Sequence, residues 1–125
     1  MTYLEAEREL VQFLGGILDL EPDREIFAGE LPEGVTDGIT VDLTEGKPAT
    51  LMTSNTFTCC VMGYFTSRKT CRGHAYIIAS NLPVYGKNGL LSVTLSEKSP
   101  LKFTFDEKSD GKIHTFTLYT EITFI

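Results

Sequence analysis

Residues 56–66 read Thr-Phe-Thr-Cys-Cys-Val-Met-Gly-Tyr-Phe-Thr, the stretch that most narrows the folds open to this chain. Successive side chains of an extended backbone point to opposite faces. Phe57, Cys59, Val61 and Phe65 therefore share one face, and Cys60, Met62 and Tyr64 share the other. A strand that is apolar on both sides belongs in the middle of a sheet.

The neighbours of such a strand are visible on either side of it. Ile39, Val41 and Leu43 alternate with Thr40, Asp42 and Thr44, the period of a strand with one wet face. Glu45-Gly46-Lys47-Pro48 is expected to break that strand. Before it, residues 24–32 read as a short edge strand closing at the turn Leu31-Pro32-Glu33-Gly34, with Gly34 and Gly38 turning the chain. Later, Leu91, Val93 and Leu95 alternate, Leu101, Phe103 and Phe105 do so after Pro100, and Ser109-Asp110-Gly111 supplies hairpin chemistry. From residue 112 to the end, Phe116, Leu118, Ile122 and Phe124 oppose Thr115, Thr117, Tyr119, Glu121 and Thr123. Unbroken, that strand spans about 48 Å at ~3.4 Å per residue, so a bulge or a projection beyond the core is expected.

Two segments carry helical spacing instead. Thr2 and Glu5 make a capping-box pair. Leu10, Leu14 and Ile17 then recur at i, i+4 and i+7, widened by Val11 and Leu18. Gly15-Gly16 weakens the end of this helix and Glu21-Pro22-Asp23 stops it. After Thr66-Ser67, Cys71, Ala75, Ile78 and Leu82 fall at i, i+4, i+7 and i+11, and Pro83 ends the run. The expected architecture is α+β: an N-terminal helix, a mixed or antiparallel sheet with a second helix packed on one face, and a C-terminal antiparallel meander. At 125 residues this is one domain spanning 1–125.

Composition excludes several functions. Eleven Lys and Arg against 17 Asp and Glu give a net charge of −6, the wrong balance for a protein whose primary ligand is nucleic acid held by phosphate neutralisation. No run approaches the ~18 apolar residues of a membrane span. The opening Met1-Thr2-Tyr3-Leu4-Glu5 has no basic region followed by an apolar one, so synthesis in a cytoplasm is expected. Three cysteines, two of them adjacent, fit reduced thiols better than a disulfide framework.

The residues offer little catalytic chemistry. Cys71 and His74 are the one thiol and imidazole close in sequence, and a small thiol-dependent enzyme using that pair is the rival reading. Cys71, however, lies on the apolar stripe of its helix, where cysteine packs as a small hydrophobe. Cys59, Cys60, Cys71 and His74 fail as a zinc set, because adjacent strand residues point apart. Asp19, Glu21, Asp23, Glu25 and Glu30 read as a solvated acidic face, and Gly34 and Gly38 lack the lysine and following helix of a phosphate loop. Neither a cofactor nor a metal is expected. One local rule is broken: Arg68, Lys69 and Arg72 crowd the first turn of the second helix, where the dipole disfavours cations. An acidic surface of another chain, an anion, or simple solvation would each compensate them.

Three phrases carry a family resemblance. They are Phe27-Ala28-Gly29-Glu30-Leu31-Pro32-Glu33-Gly34 leading into Ile39-Thr40-Val41-Asp42-Leu43, the basic Ser67-Arg68-Lys69-Thr70, and the closing Phe116-Thr117-Leu118-Tyr119-Thr120-Glu121-Ile122. With the order of elements, they resemble the tail-terminator and minor-capsid (head-tail joining) proteins of tailed bacteriophages and prophages, over nearly the whole chain. The resemblance implies a non-enzymatic homo-oligomer, usually a hexameric ring. Such a ring caps the finished tail tube, meets the head connector, and becomes part of a virion assembled in the bacterial host cytoplasm. A head-tail adaptor or tail-completion protein is the alternative within the same particle. The interface residues expected under this reading are Arg68, Lys69 and Arg72, meeting acidic residues of an adjacent subunit or of a tube protein; an acidic chain start opposite this basic tip would supply the two faces a ring needs. The paired Cys59 and Cys60 are a departure that the resemblance does not explain.

Overall fold

The computed structural model describes residues 3–47, 55–87, 90–95, 104–108 and 111–124. The chain runs α1 (Tyr3–Leu18), β1 (Ile26–Ala28), β2 (Gly38–Lys47), β3 (Asn55–Phe65), α2 (Arg68–Ser80), β4 (Val84–Lys87), β5 (Leu90–Leu95), β6 (Thr104–Lys108) and β7 (Ile113–Phe124). The strands form one seven-stranded sheet in the order β1-β2-β3-β7-β5-β4, with β6 also paired to β7. Only β1 and β2 run parallel among the described pairings. This is the α+β architecture expected, with the two-faced strand β3 between β2 and β7.

Both helices lie on the same face of the sheet. Leu10, Leu14 and Leu18 of α1 and Cys71, Ala75 and Ile78 of α2 share one core with Ile39, Val41, Cys59, Val61, Phe116, Leu118 and Ile122. Cys60, Met62 and Tyr64, on the opposite face of β3, remain half-buried. The central position of β3 follows from its pattern, but no described helix covers its second apolar face.

Four local expectations are corrected. The long last strand neither bulges against β3 nor projects: it pairs with β3 without a register shift from Asn55↔Phe124 to Phe65↔His114. Its other edge is divided between β5, opposite residues 120–123, and β6, opposite residues 113–117. Its length thus serves three neighbours. Second, Glu45-Gly46-Lys47 does not break β2, because a register shift between Leu43 and Glu45 absorbs the irregularity and pairing resumes to Lys47↔Thr56. Third, α1 stops at Leu18, before Glu21-Pro22-Asp23: Asp19 takes a left-handed φ of 56° and the Leu20 N–H donates to the Gly15 carbonyl at 2.9 Å, the closing bond of a Schellman cap. Fourth, Gly34 does turn the chain, at φ 85°, but Gly38 opens β2 instead. A Cβ at position 38 would lie 2.9 Å from Leu31 Cδ2 and 3.1 Å from Phe27 Cε2, so a side chain there would require Leu31 to shift.

Thr2 of the capping box, Pro48, Pro100, Leu101, Phe103, Ser109 and Asp110 lie outside the described residues.

The exposed side of β2 is protected from within. Ile39 donates to the Glu25 carbonyl at 3.1 Å and Val41 accepts from Gly29 at 2.7 Å, so the backbone groups of odd residues in β2 face β1. The next donor in that direction, Leu43 N–H, lies beyond the end of β1 and reaches Glu7 Oε2 of α1 at 2.8 Å. An open edge donor is thereby occupied by a carboxylate and is not offered to another strand. Glu7 is consequently half-buried and part of the fold, not of the acidic outer face expected at the chain start.

Candidate interface at the start of the second helix

The cationic tip is held by the turn that precedes it. Asp37, just before β2, accepts from Thr66 N–H at 3.0 Å and pairs with the Thr66 hydroxyl at 3.3 Å. Ser67 is the N-cap, its side chain accepting from Thr70 N–H at 3.3 Å. No acidic residue occupies the first turn of α2, and Thr66 to Thr70 are all exposed.

Helical spacing separates the three cations. Arg68 and Arg72, at i and i+4, line one pocket of about 310 Å³ together with Cys71, Asp106, Glu107, His114 and Thr115. Lys69 is not part of that lining and faces solvent. The two carboxylates come from β6, which β7 holds in register through Asp106↔Thr115 and Glu107↔His114. They are already engaged locally: Asp106 Oδ1 accepts from Glu107 N–H at 2.8 Å, and Glu107 Oε1 lies 3.6 Å from His114 Nδ1. The structure therefore brings two of the three cations to acids of their own chain.

The thiols differ from a nucleophilic site. Cys71 is 1% exposed, and burial pushes its thiol pKa up despite the opposing pull of Arg72. The imidazole sharing its pocket is His114, not His74. His74 stacks at a tilt on Phe65, ring centroids 5.0 Å apart, with Nδ1 buried and without a hydrogen-bond partner. Burial draws its pKa below the ordinary imidazole value, with Glu25 pulling the other way. Cys59 is fully buried on the core face, where burial, then Glu7, Asp42 and Cys60, push its pKa up to about 12. Cys60 sits on the opposite face, raised by burial and Asp42 and lowered by a hydrogen bond from Tyr119. Because the thiolate is the reactive species, alkylation of the native protein at pH 8 is expected to label the half-buried Cys60 first. Cys59 and Cys71 should react only at the rate of unfolding. Rapid labelling of Cys71, read by peptide mass spectrometry, would restore the thiol-enzyme reading.

Sequence reasoning found the tip but missed its company. Asp106, Glu107 and His114 lie more than 30 positions from Arg72, and only the pairing of β6 with β7 carries them to α2. The alternation of the last strand, with His114 on the same face as Phe116, was the one available signal.

No protein-family profile matches the chain, and no curated protein sequence does. Among solved structures, a chain titled "Virion of native gene transfer agent (GTA) particle" superposes with a TM-score of 0.55 at 9% identity, over 98% of both chains. A second solved chain, which carries no functional name, gives a TM-score of 0.49 at 13% identity over 98% of this chain and 94% of its own. At 9% identity the first likeness is one of fold, and it establishes that the whole α+β arrangement described above is shared with a chain of that particle.

Proposed function

We propose that this protein is a non-enzymatic structural component of a phage-like particle, acting as a tail terminator: a ring that caps the tail tube and meets the head connector. The observation that carries the reading is the end-to-end fold likeness to a chain of the gene transfer agent virion, covering 98% of each partner. The exposed tip bearing Arg68 and Lys69 supports it by offering a charged contact surface that no acid of its own first turn neutralises. The same fold likeness also supports a head-tail adaptor or tail-completion part, which would use the same kind of surface.

Deleting the gene and measuring tails by electron microscopy separates these readings. Over-long tails identify a terminator, and normal tails without heads identify a joining part. Particles unchanged in both respects would remove the proposal. In solution, the terminator reading expects a closed ring near six times the 13.9 kDa subunit mass.

A further inference from the structure

The sheet face opposite the helices holds a groove. Its lining comes from Gly29, Glu30 and Leu31 after β1, Thr40 and Asp42 of β2, and Cys60, Met62 and Tyr64 of β3, around a volume of about 400 Å³. Glu30 and Asp42 are exposed, while Cys60, Met62 and Tyr64 are half-buried. The lining includes two carboxylates and no cation among the described residues. On the other side of the sheet, the tip of α2 presents exposed Arg68 and Lys69 with no acid in its first turn.

Acidic groove and cationic tip occupy different faces of one molecule. A contact between two copies that uses one of each is heterologous, and successive heterologous contacts close into a ring or extend into a filament. We propose that the groove on the uncovered sheet face receives the α2 tip of a second copy of this chain, Lys69 and Arg68 meeting Asp42 and Glu30. The inference rests on the reading of the protein as a self-assembling particle component and names the surface by which it assembles. Charge complementarity selects the occupant. A second sheet face of the same kind would bring Glu30 and Asp42 against their own copies, where like charges repel. The tip instead supplies the missing sign, and it is the cation not enclosed by the pocket, Lys69, that stands free of its own lining acids.

The test is a charge swap read by sedimentation mass. Glu30→Lys with Asp42→Lys puts like charges at every contact, and so does Arg68→Glu with Lys69→Glu. Each double variant is expected to weaken self-association about 100-fold or more. An equimolar mixture of the two should recover the wild-type mass, because each groove then meets a tip of opposite sign. All four positions are exposed, and acids at the helix start suit the dipole, so melting temperatures control for folding. Wild-type mass retained in both variants would overturn the contact, with the terminator reading still decided by tail length in the deletion strain. A wild-type protein that stays monomeric at millimolar concentration would also overturn it. Lost tail attachment with unchanged self-association would assign the groove to a different particle protein and overturn the second copy as its occupant.

Discussion

Gly63→Ala is expected to lower the free energy of unfolding by about 3 kcal/mol, the upper range for forcing extra volume into a filled core. Gly63 lies on the helix-covered face of β3 and pairs directly with Phe116 of β7. The Phe116 ring occupies the space where a side chain at 63 would begin, so even a methyl group overlaps it. The ring has no easy retreat: it is fully buried and stacked on Phe65, centroids 6.5 Å apart and planes 14° from parallel. Added volume must therefore part the two inner strands or force the ring from its rotamer. Urea unfolding followed by circular dichroism measures the loss. Phe116→Leu in the same chain should recover part of it, giving a coupling between the two positions that a double-mutant cycle isolates. An alanine variant with the wild-type midpoint would mean that the ring does not rest on the bare backbone.

The second large effect is alkaline. Burial pushes the Cys59 thiol from its ordinary pKa of 9.0 up to about 12, so the fold favours the neutral thiol. The unfolded chain releases that proton first, and above pH 9 it binds fewer protons than the native state. Stability that is fully present below pH 9 is then lost progressively as pH rises towards 12. At about 1.4 kcal/mol per pH unit over that interval, the loss reaches roughly 4 kcal/mol. Cys59→Ala should start from a lower stability at neutral pH because it leaves a small void, yet show a flatter decline between pH 9 and 11. The pH series of urea midpoints for both proteins checks the sign, and identical alkaline slopes would show that Cys59 does not titrate on unfolding.

These two sites show where sequence patterns stop being informative. Periodicity exposed the faces of β3, the stripe of α2 and the edge character of β1, because each is decided by neighbours a few positions away. It could not show that Gly63 makes room for Phe116, since that depends on the register of two strands 53 positions apart in numbering, Gly63↔Phe116. Nor could it show that Glu7 caps Leu43, because a glutamate in an acidic first turn looks like a dipole-favoured surface residue until the sheet edge arrives beside it. The cationic tip was legible as a broken local rule. The arrival of Asp106 and Glu107 in the pocket that Arg68 and Arg72 line was not, because their strand reaches α2 only through β7. His114 as a lining residue of the pocket that Cys71 shares was illegible for the same reason, since proximity along the chain pointed to His74.

The position of β7 sets when this molecule can exist at all. This strand, the furthest along the described residues, is an inner one, flanked by β3 on one side and by β5 and β6 on the other. Until those 12 residues have been made, the described elements before them are left with a slot through their middle. Long-range pairing of this kind is slow to find and cannot begin early. A chain cut just before β7 should thus lose not a fringe of the fold but its keystone, yielding an aggregation-prone product instead of a trimmed and working subunit.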